Sequence, residues 1–254
     1  MKIYFIGAGP GDTELLTIKG KKIIDSADII IYAGSLVNKD ILKTVMKDAQ
    51  IYDSSGMTLE EVLNIFSKAK STGKIIARVH SGDPSIYGAI GEQLQWCEKE
   101  NVEYKVIPGV SSFSAAAASL GQELTLPDVS QTVILTRMQG KTKVPGKESL
   151  EKLSKITATM VIFLSVQDIE KVVEKLKQGY KPDTPVAVIE KASYPDEKKI
   201  FGTLLNIAEK VKKENITRQA IIIVGDVLKK DFTRSRLYAS NFHHGFRNNT
   251  KKHK

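Results

Sequence analysis

The sequence predicts an α/β protein with two domains, and three observations support this fold class. In the first half, short β-rich runs alternate with apolar residues at helical spacing, which is typical of parallel β-α units. In the second half two strands follow each other so closely that they require a hairpin, and a mixed sheet is predicted there. A polar, proline-bearing link at 121–128 separates the halves. We therefore predict an N-terminal parallel-sheet domain at 1–120, a C-terminal mixed-sheet domain at 121–228 and a basic tail at 229–254.

Each element follows from a local pattern. Runs of β-branched and aromatic residues predict five strands in each domain. The first five are 2–7, 28–32, 50–53, 74–79 and 103–107, and the second five are 132–136, 160–164, 185–189, 199–201 and 220–224. Apolar residues at helical spacing predict helices after the first and third strands, and Gly73 is suited to end the second of these. Further helices are predicted at 111–118, where serines provide caps, and at 148–153, 166–178 and 204–214.

Composition excludes several classes of protein. The chain has 254 residues, of which 41% are hydrophobic and 26% charged, as expected of a globular protein. No apolar run approaches the roughly 18 residues of a membrane span, and residues 1–7 form a predicted strand rather than a signal peptide. We therefore expect a cytoplasmic protein without a membrane partner. The single Cys97 excludes an internal disulfide and is predicted to be a small buried apolar residue.

The net charge of +9 is concentrated at one end of the chain. From Lys229 onward there are eight basic residues and one acid, so residues 1–228 carry only +2. A nearly neutral body does not predict a nucleic-acid partner. The tail is interpreted as a solvated extension, a flap over an anionic substrate or, alternatively, an RNA contact.

Two glycine-rich loops follow predicted strands, GAGPGD at 7–12 and SGDPSIYG at 81–88. Asp12 stands where the dinucleotide fingerprint G-x-G-x-x-G requires its third glycine, and its carboxylate disfavours a bound pyrophosphate. The second strand also lacks the terminal acid that would bind a ribose, which disfavours a nicotinamide-dependent oxidoreductase. The two loops predict a ligand cleft lined by backbone atoms at the carboxyl ends of parallel strands.

Polar residues near the loops have alternative interpretations. Asp83 is suited to orient a bound cofactor, to cap a helix that begins at Pro84, or to do both. Arg137 either pairs with a substrate carboxylate through both nitrogens or forms an exposed salt bridge. The loop-end residues that either line a substrate cavity or serve the fold are Tyr32, Ser35, His80 and Lys191. Neither an H-x-x-x-H nor a C-x-x-C spacing occurs, so no metal site is predicted.

Taken together, these motifs resemble the tetrapyrrole methyltransferases of corrin and sirohaem synthesis. The resemblance covers nearly the whole chain and rests on GAGPGD, SGDPSIYG, IPGVSS (107–112), LTRMQGKTKVPGKE (135–148), VIFLS (161–165) and QAIIIVGDVL (219–228). The segments similar to the members that methylate carbon 11 of precorrin-4 or cobalt-precorrin-4 are YAGSLV (32–37), EKASYPDEKKIFGTL (190–204) and SRLYASNFHHGFR (235–247). Uroporphyrinogen methylases typically have an Asn-Gly-Thr-type sequence where this chain has Lys191-Ala192-Ser193.

The resemblance implies a homodimeric enzyme of cobalamin biosynthesis with S-adenosylmethionine between two α/β domains. The cofactor-binding residues that it implies are Pro10, Ser81, Gly82, Asp83, Ile86, Ser111, Ser112, Leu164 and Ala192. The residues expected to bind the tetrapyrrole are Tyr32, Ser35, Arg137 and Lys191, with Arg78 among the scattered cations around its carboxylates. No catalytic acid or base is assigned, because transfer from a sulfonium to an electron-rich ring carbon depends mainly on positioning.

Other functions stay open at this point. A member of the same family could act on uroporphyrinogen III, precorrin-2 or precorrin-3. A relative in fold could methylate RNA or a translation factor, and the basic tail would then bind RNA with strong salt dependence. A binding module without catalytic activity is disfavoured by the two loops.

Overall fold

The computed structural model describes residues 1–229 together with residues 235, 239 and 242. The predicted role of the basic tail therefore lies almost entirely outside the described residues. The chain divides into two compact units. The first contains residues 1–121, 189–199 and 217–221, and the second contains 122–188, 200–216 and the described residues from 222 on.

The first unit is built on a parallel five-stranded sheet. Its strands are β1 (Lys2–Gly7), β2 (Ile29–Tyr32), β3 (Gln50–Asp53), β4 (Ile75–His80) and β5 (Glu103–Ile107), in the order β3-β2-β4-β1-β5. All neighbouring pairs are parallel. Alternate residues of β1 face two apolar clusters, Ile6 on one side and Ile3 with Phe5 on the other. The parallel sheet confirms the predicted fold of the first half.

Four helices accompany this sheet, and their ends follow local chemistry. They are α1 (Ile18–Ser26), α2 (Leu59–Thr72), α3 (Gly91–Lys99) and α4 (Ser112–Leu120). Helix α2 begins with a capping box between Thr58 and Glu61, and it ends at Gly73 in the left-handed conformation, as predicted. Helix α4 follows Ser111, whose hydroxyl caps no amide, so the predicted serine cap at this position is wrong.

The second sheet is mixed. It contains β6 (Val133–Arg137), β7 (Thr159–Phe163), β8 (Pro185–Glu190), β9 (Lys198–Thr203) and β10 (Ala220–Val224), in the order β6-β7-β10-β8-β9. Strands β6 and β7 are parallel, whereas β7 and β10 are antiparallel, which confirms the predicted mixed sheet. The accompanying helices are α5 (Leu150–Leu153), α6 (Ile169–Leu176) and α7 (Ile207–Lys213). None of the helices in the described chain has the length and apolar character needed to cross a bilayer.

Candidate functional site

Three glycines bring three loops together at the carboxyl ends of β1, β4 and β5. A Cβ atom on Gly7 would lie 2.5 Å from the Gly82 carbonyl oxygen and 2.6 Å from the Gly109 Cα. A Cβ on Gly109 would collide with the same carbonyl oxygen and lie 2.7 Å from the Gly7 Cα. Since every obstructing atom belongs to the backbone, no side-chain rotation could make room. The three loops therefore pack main chain against main chain.

A short antiparallel bridge fixes the two predicted glycine loops to each other. The Gly82 N–H donates to the Gly9 carbonyl at 2.8 Å, and the Gly9 N–H donates to the Gly82 carbonyl at 3.3 Å. Both residues lie in the left-handed region, with φ of 79° for Gly9 and 64° for Gly82, where glycine is favoured. The separation of GAGPGD and SGDPSIYG in sequence thus becomes direct backbone contact.

Asp83 joins the second loop to the third. Its Oδ2 accepts from the Gly109 N–H at 2.8 Å, while its Oδ1 accepts from the Ser85 N–H at 2.8 Å and from the Ser85 hydroxyl. Burial opposes ionisation of Asp83, but these hydrogen bonds outweigh it and lower the pKa of the carboxyl below its ordinary value. The prediction that Asp83 caps a helix from Pro84 is wrong, because residues 84–87 form a turn and α3 begins at Gly91.

Several other predicted cofactor residues surround this junction. A Cβ on Gly82 would lie 3.7 Å from both the Ser111 Cα and the Ser112 N, so the start of α4 adjoins the second loop. Ser111 is buried, and Ser112 is partly buried. The remaining residues of the two loops are Pro10, which is buried, and Ser81 and Ile86, which are partly buried.

The segment 191–197 contacts the end of the first loop. The Ser193 hydroxyl accepts from the Asp12 N–H at 2.9 Å, and the Tyr194 ring covers Gly11 so closely that a Cβ there would overlap it. Ala192, a predicted cofactor residue, is buried between Lys191 and Ser193, whose φ angles are 50° and 71°. Ser193 and Tyr194 were not predicted as site residues. The one sequence feature that could have indicated the contact between Tyr194 and the first loop is the glycine at position 11, which leaves room for the ring.

Leu164 lies in the second unit, directly after β7. It has a φ of 53°, and 72% of its surface is exposed although it is a large apolar residue. The buried Ser165 hydroxyl accepts from the Met138 N–H at 2.9 Å and donates to the Phe163 carbonyl at 2.6 Å, which fixes the backbone on both sides of this turn. A strained backbone that displays an apolar side chain is typical of functional positions.

Tyr32 and Lys191, which were predicted to bind the tetrapyrrole, have side-chain partners in the structure. The buried Tyr32 donates its hydroxyl to Asp53 Oδ2 at 3.0 Å, and Lys191 pairs with Asp196. Ser35 belongs to a 3-10 turn, and its side chain lies outside the described residues. A substrate carboxylate at Lys191 would have to compete with Asp196.

Two basic residues make contacts that the sequence did not predict. The Arg137 guanidinium donates to the carbonyls of Thr142 at 3.3 Å and Lys143 at 2.9 Å, so it orders its own loop, and it forms no salt bridge with the described residues. Arg78 is 7% exposed, in contrast to the expectation of a cation available to substrate. Burial lowers the pKa of Arg78 to about 10, at which the side chain remains charged at neutral pH.

Backbone-lined loops at the carboxyl ends of a parallel sheet define a ligand-binding protein of the α/β class. The family model of the tetrapyrrole (corrin/porphyrin) methylases matches residues 2–208. The chain therefore belongs to the tetrapyrrole methylase family, which confirms the resemblance seen in its motifs.

Known proteins similar to this chain cover almost all of it. The chain is 55% identical over 253 residues to the cobalt-precorrin-4 C(11)-methyltransferase of Methanocaldococcus jannaschii, covering 99% of this chain and 98% of that protein. The structure of the cobalt precorrin-4 methyltransferase CbiF is similar with a TM-score of 0.87 at 42% identity, covering 90% of this chain and 96% of that one. Uroporphyrin-III C-methyl transferase from Thermus thermophilus, solved with S-adenosylhomocysteine, has a TM-score of 0.76 at 26% identity, covering 90% and 94%.

Proposed function

We propose that this chain transfers the methyl group of S-adenosylmethionine to carbon 11 of precorrin-4 or cobalt-precorrin-4, giving the corresponding precorrin-5 in cobalamin biosynthesis. The observation that carries this proposal is the 55% identity, over 99% of the chain, to a relative named for that reaction. The segments YAGSLV and EKASYPDEKKIFGTL support the same step over methylation of uroporphyrinogen III, precorrin-2 or precorrin-3.

The cofactor site in this proposal is built on the loop junction at Gly7, Gly82 and Gly109. S-adenosylmethionine supplies an activated, positively charged methyl donor. The ionised Asp83 provides a negative charge suited to that cation, and the buried Ser111 has a hydroxyl that caps no helix amide. Exposed Leu164 offers an apolar surface suited to a flat base. The residues assigned to the site are Pro10, Ser81, Gly82, Asp83, Ile86, Ser111, Ser112, Leu164 and Ala192.

Positioning is the main catalytic contribution that we assign to the chain. A sulfide leaving group needs no proton, and holding two reactants in near-attack geometry can supply about 7–11 kcal/mol of barrier reduction. Loops packed backbone against backbone at Gly7, Gly82 and Gly109 suit this task because they cannot relax by side-chain rotation. Exclusion of water by the buried residues would protect the methyl donor and the macrocycle.

The test is anaerobic incubation of the purified protein with methyl-labelled S-adenosylmethionine and either precorrin-4 or its cobalt complex, with the new methyl located by carbon NMR. We expect label at carbon 11, and the preferred form of the substrate follows from the relative rates. Label at another carbon would assign the chain to another step of tetrapyrrole methylation. Uroporphyrinogen III, offered in parallel, is the matched control substrate.

A homodimer and a cytoplasmic location complete the proposal. Light scattering coupled to size-exclusion chromatography should give a mass near 56 kDa, twice the 28.0 kDa of the chain. A mass near 28.0 kDa at all concentrations would exclude the dimer without affecting the assignment of the reaction.

A further inference from the structure

The end of the second glycine loop has a strained backbone. Tyr87 and Ala89 have φ angles of 56° and 49°, in the left-handed region that residues with a Cβ rarely adopt. Between them, a Cβ on Gly88 would overlap the carbonyl group of Pro84, so the turn is also tight. Strained conformations of this kind persist only where surrounding contacts hold them.

A chain of two hydrogen bonds, the first buried and the second partly buried, ends on this segment. The Nε of Arg78, on β4, donates to Oε1 of Gln93 at 3.1 Å. The amide nitrogen of Gln93, on α3, donates in turn to the Ala89 carbonyl at 3.1 Å. Both side chains are at least nine-tenths buried, with 7% of Arg78 and 5% of Gln93 exposed. We call these two side chains the Arg78–Gln93 relay.

The guanidinium itself is anchored to two further elements of the sheet. One terminal nitrogen of Arg78 donates to the Ile31 carbonyl on β2 at 3.2 Å and to the Ser54 hydroxyl after β3 at 3.0 Å. Ser54 also donates to the Tyr32 carbonyl at 2.9 Å. Arg78 thus connects the carboxyl ends of three adjacent strands to the segment that follows β4.

Stability alone does not explain a buried cation at this place. Among the described residues, no carboxylate lies within ion-pair distance of Arg78, and all of its hydrogen bonds there are to uncharged groups. Replacing buried charges by apolar residues of similar volume is often neutral or stabilising. The neighbouring His80 adds a hydrogen bond with the Gly88 backbone, while its Nε2 has no partner in the part of the chain described.

We propose that Arg78 and Gln93 are positioning residues that hold Tyr87 and Ala89 in the left-handed conformation before ligand arrives, and so preorganise the second glycine loop for S-adenosylmethionine. The inference rests on the proposed cofactor role of residues 81–86. Neither side chain is assigned a contact with the reacting atoms. Their effect on the ligand passes through the Ala89 carbonyl and the backbone of the loop.

The first test separates the relay from the rest of the core. Gln93→Glu keeps the acceptor for Arg78 but removes the donor to Ala89. We expect amide hydrogen exchange in residues 86–90 to accelerate in the ligand-free variant, and calorimetric affinity for S-adenosylhomocysteine to fall about five- to tenfold. Gln95→Glu, which makes the same change at an exposed residue of the same helix, is the matched control and should leave both unchanged.

The second test asks whether strain is what the relay opposes. Glycine adopts the left-handed region without the steric cost of a Cβ, so adding Ala89→Gly to Gln93→Glu should restore most of the lost affinity. A purely structural role of Gln93 would not be rescued in this way. If the double variant binds no better than Gln93→Glu, or if Gln93→Glu matches the wild type in exchange and affinity, the inference is wrong. If the wild type itself fails to bind S-adenosylhomocysteine, the proposed function fails, while hydrogen exchange still decides the relay.

Discussion

Gly109→Ala is the sharpest test of the loop junction. The new methyl group would meet the Gly82 carbonyl oxygen and lie 2.7 Å from the Gly7 Cα, and both obstacles are backbone atoms. Overpacking of this kind typically costs about 1–3 kcal/mol. For a chain of this size, each kcal/mol corresponds to about 2–4 °C in Tm, so we expect a decrease of about 2–12 °C. Because the clash separates the loops, affinity for S-adenosylhomocysteine should also fall at least about tenfold, or about 1.4 kcal/mol.

Gly91→Ala provides the matched control for this change. Gly91 is the first residue of α3, and a Cβ there would meet no atom within 4 Å. Alanine is favoured over glycine in helices by about 0.5–1 kcal/mol, so this variant should be as stable as the wild type or slightly more stable. Thermal unfolding followed by circular dichroism and titration calorimetry would be run on both variants. If Gly109→Ala matches Gly91→Ala in Tm and in affinity, the argument from backbone contact is refuted.

Three further predictions concern titration, strain and charge. Burial and a neighbouring guanidinium lower the pKa of His80 to about 3, against about 6.5 when unfolded. The contribution of the neutral His80 ring to stability is therefore complete above about pH 6.5 and lost as the pH falls toward 3. In urea titrations, His80→Gln should reduce the slope of the unfolding free energy against pH, between pH 6 and 4, by up to ~1.4 kcal/mol per pH unit. An unchanged slope would contradict burial of the neutral ring. Leu164→Gly should keep or raise Tm, because glycine relieves the strain of the left-handed backbone, and it should weaken S-adenosylhomocysteine binding. The control Thr157→Gly, at the opposite end of β7, should relieve strain without affecting binding. If the two variants bind S-adenosylhomocysteine equally well, Leu164 does not belong to the site. Asp83→Asn should weaken the same ligand at least about tenfold in calorimetry, while the partly exposed Asp168→Asn does not. Because the pKa of Asp83 is lowered, its stabilising effect should be complete above about pH 4 and lost only as the pH falls further. Identical acid unfolding curves of Asp83→Asn and the wild type would contradict this.

Local patterns were sufficient for most of the fold. The strands at 2–7, 50–53, 103–107 and 220–224 begin and end where the sequence predicted, because β-branched residues in short runs bounded by turn residues leave few alternatives. Helix ends were less accurate, since the predicted helix at 166–178 consists of a 3-10 turn followed by the shorter α6. The backbone hydrogen bonds that distinguish these two forms differ by one residue, which apolar spacing does not resolve.

The candidate site was predictable only in part, for a physical reason. Motif positions indicated the two glycine loops and Asp83, but the hydrogen bond between Asp12 and Ser193 joins residues 181 positions apart. No local pattern encodes such a contact. The burial of Arg78 was hidden for a similar reason, because its partners Ile31 and Ser54 lie on β2 and directly after β3, and not along β4 itself.

The motif positions of the site fall into two kinds. At Gly7 and Gly109 a side chain of any kind would displace another backbone, and at Gly82 the φ of 64° favours glycine, so the backbone determines the residue at all three positions. Leu164 lies in an exposed turn with a φ of 53°. This position requires the backbone conformation and an apolar surface, but it does not require a side chain of one particular shape. If S-adenosylmethionine is held mainly by main-chain atoms near Gly7, Gly82 and Gly109, specificity for it depends on the geometry of these loops. Contacts that fix that geometry, such as the Arg78–Gln93 relay, then influence binding as strongly as residues that touch the ligand.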